Sequence, residues 1–299
     1  MTTTSIARQL AVAGCVHAAE EAALLVGAAR TADELRTMIA RRVAGEPLEH
    51  VVGWADFHGL RLAVDRGVFV PRAGSALLVR EAGSLVRCLT GPAGTAVVVD
   101  LCCGSGAIGA ALVAELPQVR LHAVDIDARA VACARRNLSP FGAAVHQGNL
   151  FRALPRRLRR RIDLVVASPP YVPTEEIRLL SSEAREFEPP VALDGGSRGL
   201  AVVEQIARGA TQWLSPGGFL AVEVADRQVD RTELLLDRLG FATRAVTSEA
   251  HGSTVVTGHC EHRQSHARDP GPAEAAGAPR RRVLGSARRT AAERAPARR

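Results

Sequence analysis

Strands alternating with helices from Thr95 onward predict an α/β protein: a Rossmann-like, mostly parallel sheet with helices on both faces. Two runs, Ala96-Val-Val-Val-Asp100 and Ile162-Asp-Leu-Val-Val-Ala167, read as buried strands. A glycine turn, Gly104-Ser-Gly-Ala-Ile-Gly109, follows the first run and opens a helix. Apolar-periodic stretches fill the intervals between strands, as parallel neighbours require.

A small helical domain, residues 1–56, precedes that pattern. Ser5–Ala29 is alanine-rich, with Ile6, Leu10, Ala13 and Val16 at helical spacing. Thr31-Ala-Asp-Glu34 resembles a capping box opening a further helix through Arg42. Residues 57–92 form a hairpin or linker, with alternation in Leu60–Asp65, a turn around Asp65-Arg-Gly67 and then Val68-Phe-Val70. Within residues 93–261, Ala96–Asp100 leads through the glycine turn to a helix over Ala107–Leu116. Arg120–Asp125 is the next strand and Ala128–Asn137 the next helix; Ala144–His146 is a weaker strand, and Ile162–Ala167 follows. Leu200–Trp213 and Arg231–Leu239 read as helices, with strands at Phe219–Val224 and Thr254–Thr257. Residues 262–299 are Ala, Arg, Pro and Gly with almost no large apolar side chain, a composition expected to be disordered.

The net charge of +7 belongs to that last segment. Arg263–Arg299 carries ten arginines against Asp269, Glu274 and Glu293, which leaves residues 1–262 electrically balanced. The tail has two readings, a dispensable solvated extension or a segment that docks weakly on RNA or the ribosome. No apolar run reaches the ~18 residues of a membrane span, and Met1–Leu25 lacks the basic start and compact apolar core of a secretory signal. A cytoplasmic location is expected. The six cysteines have no metal-ligand spacing, and no metal is expected.

Gly104-x-Gly106-x-x-Gly109 with Asp125 ending the next strand is a nucleotide-type fingerprint. Glycines admit a ligand close to the backbone, and a carboxylate after the second strand accepts from ribose hydroxyls. Asp100, just before the turn, favours a cationic ligand over a pyrophosphate, which it would repel. That points to S-adenosylmethionine as cofactor.

Ser168-Pro169-Pro170-Tyr171 follows the Ile162–Ala167 strand directly. The two prolines stiffen the loop and remove two backbone donors. The carbonyls of Ser168 and Pro169 then face outward as acceptors for the two N–H bonds of an amide or exocyclic amine, and Tyr171 can stack on that planar group.

Taken together, these pieces resemble the protein-(glutamine-N5) methyltransferases that modify the Gly-Gly-Gln loop of release factors. The resemblance rests on Gly45-Glu-Pro, Val52-Gly53, Phe57-x-Gly59, Phe69-Val-Pro-Arg72 and Asp100-Leu-Cys-Cys-Gly-Ser-Gly. It continues through Ser168-Pro-Pro-Tyr, Glu188-Pro-Pro-Val-Ala-Leu-Asp-Gly-Gly196, Gly199-Leu200 and Leu214-Ser-Pro-Gly-Gly218 with Glu223. It implies a class I methyltransferase sheet and an N-terminal domain that contacts a release factor. It implies donor contacts from Cys102, Cys103, Gly104, Ser105, Gly106 and Asp125, with Asn149 and Leu150 beside the adenine; Asp100 and Ile126 are expected to join them at the donor site. The implied catalytic residues are Ser168, Pro169, Pro170 and Tyr171. Four departures stand out: Ser168 replaces the family's asparagine, Ala73-Gly-Ser-Ala76 lacks two carboxylates, Asn149 replaces an aspartate, and Leu150 an aromatic. Two alternatives stay open, a nucleic-acid amino-methyltransferase and a donor-binding module without catalysis.

Overall fold

A computed structural model of the chain describes residues 2–90, 94–248 and 252–260. The expected disorder of residues 262–299 lies outside the described residues.

Four helices open the chain. The first, α1 (Thr3–Val12), starts behind Thr2, whose hydroxyl accepts the Ser5 N–H. Ser5–Ala29 is not one continuous helical stretch, because Gly14, at φ +92°, breaks it before α2 (Ala18–Ala28). Ile6 and Leu10 are buried as expected, whereas Val16 is exposed beyond the break. Thr31 caps α3 (Ala32–Val43) by accepting the Glu34 N–H at 3.1 Å. The reciprocal half of the box is displaced by one residue, since Glu34 accepts from the Arg30 N–H at 2.9 Å. A short α4 (Leu48–Val52) follows, and Ile6, Leu10, Leu25, Met38, Ile39 and Val51 share one apolar core. Arg42 pairs with Glu21 at 2.6 Å and with Glu183 at 3.3 Å, joining these helices to the segment beyond the Ser168–Tyr171 loop.

The hairpin lies one turn earlier than the sequence suggested. Its strands are β1 (Trp54–Phe57) and β2 (Leu60–Ala63), and its turn is His58-Gly59, both residues at positive φ. Left-handed central residues match the twist of a tight two-residue hairpin, which Asp65-Arg-Gly67 does not supply. The presumed linker also holds a helix, α5 (Ala76–Thr90). Leu78, Ala82 and Val86, four residues apart, bury its inner face in the core.

The main sheet then assembles in turn. Strand β3 (Ala96–Leu101), α6 (Ala107–Glu115), β4 (Val119–Asp125), α7 (Ala128–Leu138), β5 (Ala144–Gln147) and β6 (Ile162–Ala167) follow the expected order. Two short helices, α8 (Ser182–Phe187) and α9 (Pro190–Leu193), precede α10 (Ala201–Trp213) and β7 (Leu214–Val224). The chain continues through α11 (Val229–Arg238), β8 (Phe241–Ser248) and β9 (Ser253–Cys260). Strand order is β5-β4-β3-β6-β7-β9-β8, with β9 antiparallel to both neighbours and the others parallel. Alternate residues serve opposite faces. Val98, Leu164 and Ala221 pack with α5, α6 and α7, while Val99, Val165 and Val222 pack with α10 and α11. Strand order reverses between β3 and β6, which opens a crevice beyond their carboxyl ends, the place where such sheets bind ligands. Among the described residues no helix is long and apolar enough to cross a membrane.

Candidate active site

One cavity of about 380 Å³ occupies that crevice. Its first wall is the turn after β3. Cys102 and Gly104 both take positive φ, and the Gly106 N–H closes the turn on the Cys103 carbonyl at 2.7 Å. Nothing lies within 4 Å of the place a Cβ would occupy on Gly104, so the turn offers its bare backbone to the cavity. Asp125, ending β4, holds this shape: its carboxylate accepts the Gly104 N–H at 2.8 Å and the Asp127 N–H at 2.9 Å. Burial pushes the Asp125 carboxyl above its ordinary range, and those same N–H donors oppose the shift. Asn137 braces the turn from α7, donating to the Ser105 carbonyl at 2.8 Å and to Ala63 of the hairpin at 2.9 Å.

Ile126 keeps about half of its surface open (52%) although it is aliphatic, and it lines the cavity with Asn149 and Leu150. Leu150 sits at φ +48°, a conformation a branched side chain rarely takes. This apolar ledge with an amide beside it suits a purine, and Gly104, Asp125, Ile126, Asn149 and Leu150 together fit a nucleoside.

The second wall is Ser168–Tyr171, directly after β6. Its later carbonyls are used by the scaffold. The Gln228 amide donates to Tyr171 O at 2.9 Å, and the Gly195 N–H donates to Val172 O at 2.8 Å. Outside the strand ladders no donor among the described residues reaches Ser168 O, Pro169 O or Pro170 O. The first carbonyls of the loop therefore remain as acceptors for a ligand. Burial pushes the Tyr171 hydroxyl above its usual value, with Glu223 adding to the effect, so the ring stays a neutral phenol.

A third wall was not singled out as part of the site. Arg72 Nη2 lies 2.7 Å from both carboxylate oxygens of Glu188 and its guanidinium stands over the Phe69 ring, while Val70 N–H donates to Glu188 at 3.2 Å. Burial raises the Glu188 carboxyl and Arg72 counteracts it. Arg72, Glu188 and Phe69 were visible as family-like pieces, but their pairing across 116 positions has no local signal.

Eight of the ten expected donor-contacting residues line the cavity; Asp100 and Gly106 do not. Asp100 is fully buried and accepts the Gly109 N–H at 3.0 Å, so it caps the first turn of α6 behind the loop rather than facing a ligand. Gly106, at φ +81°, packs against α7, where a Cβ would stand 3.0 Å from Leu138 and 3.2 Å from Ala134. All four expected catalytic positions line the cavity. Cys102 and Cys103 also line it, and burial raises both thiols well above their ordinary value, which leaves them protonated and unreactive.

Residues 64–183 match the model of the methyltransferase small domain. Over 225 residues the chain is 36% identical to a release factor glutamine methyltransferase of Geobacter sulfurreducens, a match spanning 75% of this chain and 76% of that protein. The chain belongs to the release factor glutamine methyltransferase family. A second member, from Streptomyces coelicolor, is 41% identical over 191 residues, 64% of this chain and 67% of that one. The chain is also similar to the 4-amino-L-phenylalanine/4-methylamino-L-phenylalanine methyltransferase of Streptomyces pristinaespiralis, 36% identical over 68% of this chain and 69% of that protein. Membership makes this chain an S-adenosylmethionine-dependent methyltransferase on a class I sheet, and the open Gly104 turn with its purine ledge fits that donor.

Proposed function

We propose that this chain transfers a methyl group from S-adenosylmethionine to the side-chain amide nitrogen of a glutamine, in the Gly-Gly-Gln loop of a peptide chain release factor. The observation that carries this reading is the run of carbonyls without a donor at the start of the Ser168–Tyr171 loop, Ser168 O and Pro169 O among them, in the same cavity as the Gly104 turn. The donor supplies an electrophilic methyl on a sulfonium. An amide nitrogen is a weak nucleophile because its lone pair is delocalised into the carbonyl. Ser168 O and Pro169 O accept its two N–H bonds, which aims the nitrogen and favours its loss of planarity as the new bond forms. Tyr171, as a neutral ring, covers the planar group and excludes water. A strong general base is unnecessary, because the amide proton is acidified once nitrogen carries the methyl. The relatives named for release factors favour a protein glutamine over a nucleic-acid amino group.

A planar arylamine presents the same two N–H donors, and the S. pristinaespiralis relative is named for such a substrate. Ser168, shorter than asparagine, leaves more room beside the carbonyls and favours this as the second reading. The test offers labelled donor with purified release factor and, separately, with 4-amino-L-phenylalanine, then locates the methyl by mass spectrometry. Label on the Gly-Gly-Gln glutamine supports the first reading; label on the arylamine alone replaces it with the second. Residues 263–299 are read as dispensable for the transfer, and contact with RNA or the ribosome is not required by the site.

A further inference from the structure

Gln228 lies outside the cavity, in the short segment between β7 and α11, and is 3% exposed. Every polar atom of its side chain is engaged. Its Nε2 donates to Tyr171 O at 2.9 Å and to Arg198 O at 3.2 Å, while its Oε1 accepts the Ala225 N–H at 3.1 Å. One side chain thus ties together the loop after β6, the Gly195–Gly199 turn and the end of β7. The turn is shaped to let this happen. A Cβ on Gly199, at φ +70°, would collide with Tyr171 O and with Gln228 Nε2, and one on Gly195 would collide with Pro170 O.

We infer that Gln228 is a positioning residue for methyl transfer, acting through Tyr171 O to set which carbonyls of the Ser168–Tyr171 loop face the substrate. A carbonyl buried without a donor is costly, so if Tyr171 O lost Gln228 the loop would turn to find another partner. Pro169 and Pro170 stiffen the loop, so that turn is transmitted to Ser168 O and Pro169 O rather than absorbed locally. Those carbonyls must meet two N–H bonds at once, and a displacement of about an ångström is enough to spoil such alignment. The donor wall is built from β3, β4 and β5 and shares none of these bonds, so donor binding is spared.

The inference rests on the reading of this loop as the methyl-transfer site, and the test separates the two. Gln228→Glu keeps an oxygen that accepts from Ala225 N–H and, assayed at alkaline pH where the carboxyl is ionised, removes the donor to Tyr171 O. The full chain carrying it is assayed for kcat on purified release factor, KM for that substrate, and donor Kd by calorimetry. The expected result is a fall in kcat of at least about tenfold with donor Kd within about twofold of the parent. Gly199→Ala wedges a methyl against both Tyr171 O and Gln228 Nε2, at the hydrogen bond itself, and is expected to give the same selective loss, which keeps the test decisive should Gln228→Glu fail to fold. Parental kcat in either folded variant overturns the inference, as does a parallel loss of kcat and donor affinity, which marks a general structural role. A parent chain that binds donor but methylates neither glutamine nor arylamine refutes the underlying reading instead.

Discussion

Replacing Asp100 with asparagine should alter how the stability of the ligand-free protein depends on pH. One Asp100 oxygen holds Gly109 N–H at 3.0 Å, and the other is buried with no partner. Burial pushes this carboxyl up to about 7 from an ordinary 3.8; the Gly109 N–H opposes the shift and nearby Asp125 adds to it. A carboxyl with a raised folded-state pKa favours the protonated native state. Its stabilisation is therefore whole below about pH 4 and is lost as pH rises through about 7. A shift of about three units, at about 1.4 kcal/mol each, gives about 4 kcal/mol in all. Integrating the linkage, roughly 2 to 3 kcal/mol of this is lost between about pH 5 and 7.5. Asparagine keeps an oxygen for Gly109 and cannot ionise, so whatever its side chain costs is independent of pH. Urea unfolding of both proteins across that range isolates the difference from every other titrating group. The variant should gain on the parent by about 2 to 3 kcal/mol as pH rises. A difference that stays flat to within about 0.5 kcal/mol, or that moves in the parent's favour, would refute the account of Asp100 as a buried cap.

Other expectations follow from the same geometry. Asp125→Ala should weaken donor binding by about 1 to 3 kcal/mol in titration calorimetry, because Gly104 and Asp127 N–H lose a charged acceptor together. Asp100→Asn should cost less donor affinity than that, since Asp100 does not line the cavity. Ser168→Asn should retain or raise kcat on a release factor and leave donor Kd unchanged. Arg72→Ala leaves Glu188 buried without its cation, and thermal unfolding should report a loss of about 1 to 3 kcal/mol, moderated by the exposure of Arg72. Deleting residues 263–299 should leave methyl transfer unchanged at physiological salt; a large rise in substrate KM would give the tail a docking role.

The strands that build the site were legible because each is a compact apolar run ending in a chemically distinctive residue. Asp125 and the Ser168 loop could be placed at strand ends for that reason. Strand β8 escaped because it pairs on one side only, and Phe241–Ser248 mixes exposed and half-buried residues without a buried run. The spacing that marks α5 was present in Leu78, Ala82 and Val86, but it follows closely on the alternating strands and turns of residues 57–75, which set the reading of the whole segment. Asp100 shows what sequence leaves open: it puts a carboxylate at the strand end, and only the fold decides that this one is buried against Gly109 N–H and not in the cavity lining. Arg72 with Glu188, and Gln228 with Tyr171, are partners more than fifty positions apart, and nothing local announces them.

The reversal of strand order between β3 and β6 has a consequence for how this enzyme can change. The residues proposed to hold the donor hang on β3, β4 and β5, on one side of the reversal. The acceptor loop, its Gln228 brace and the Arg72–Glu188 wall belong to β6, β7 and the segments outside the sheet. A lineage can therefore redraw the acceptor side, at Ser168 for example, while inheriting donor recognition untouched. Relatives named for a protein glutamine and for a free aromatic amino acid are what such a divided inheritance would leave behind.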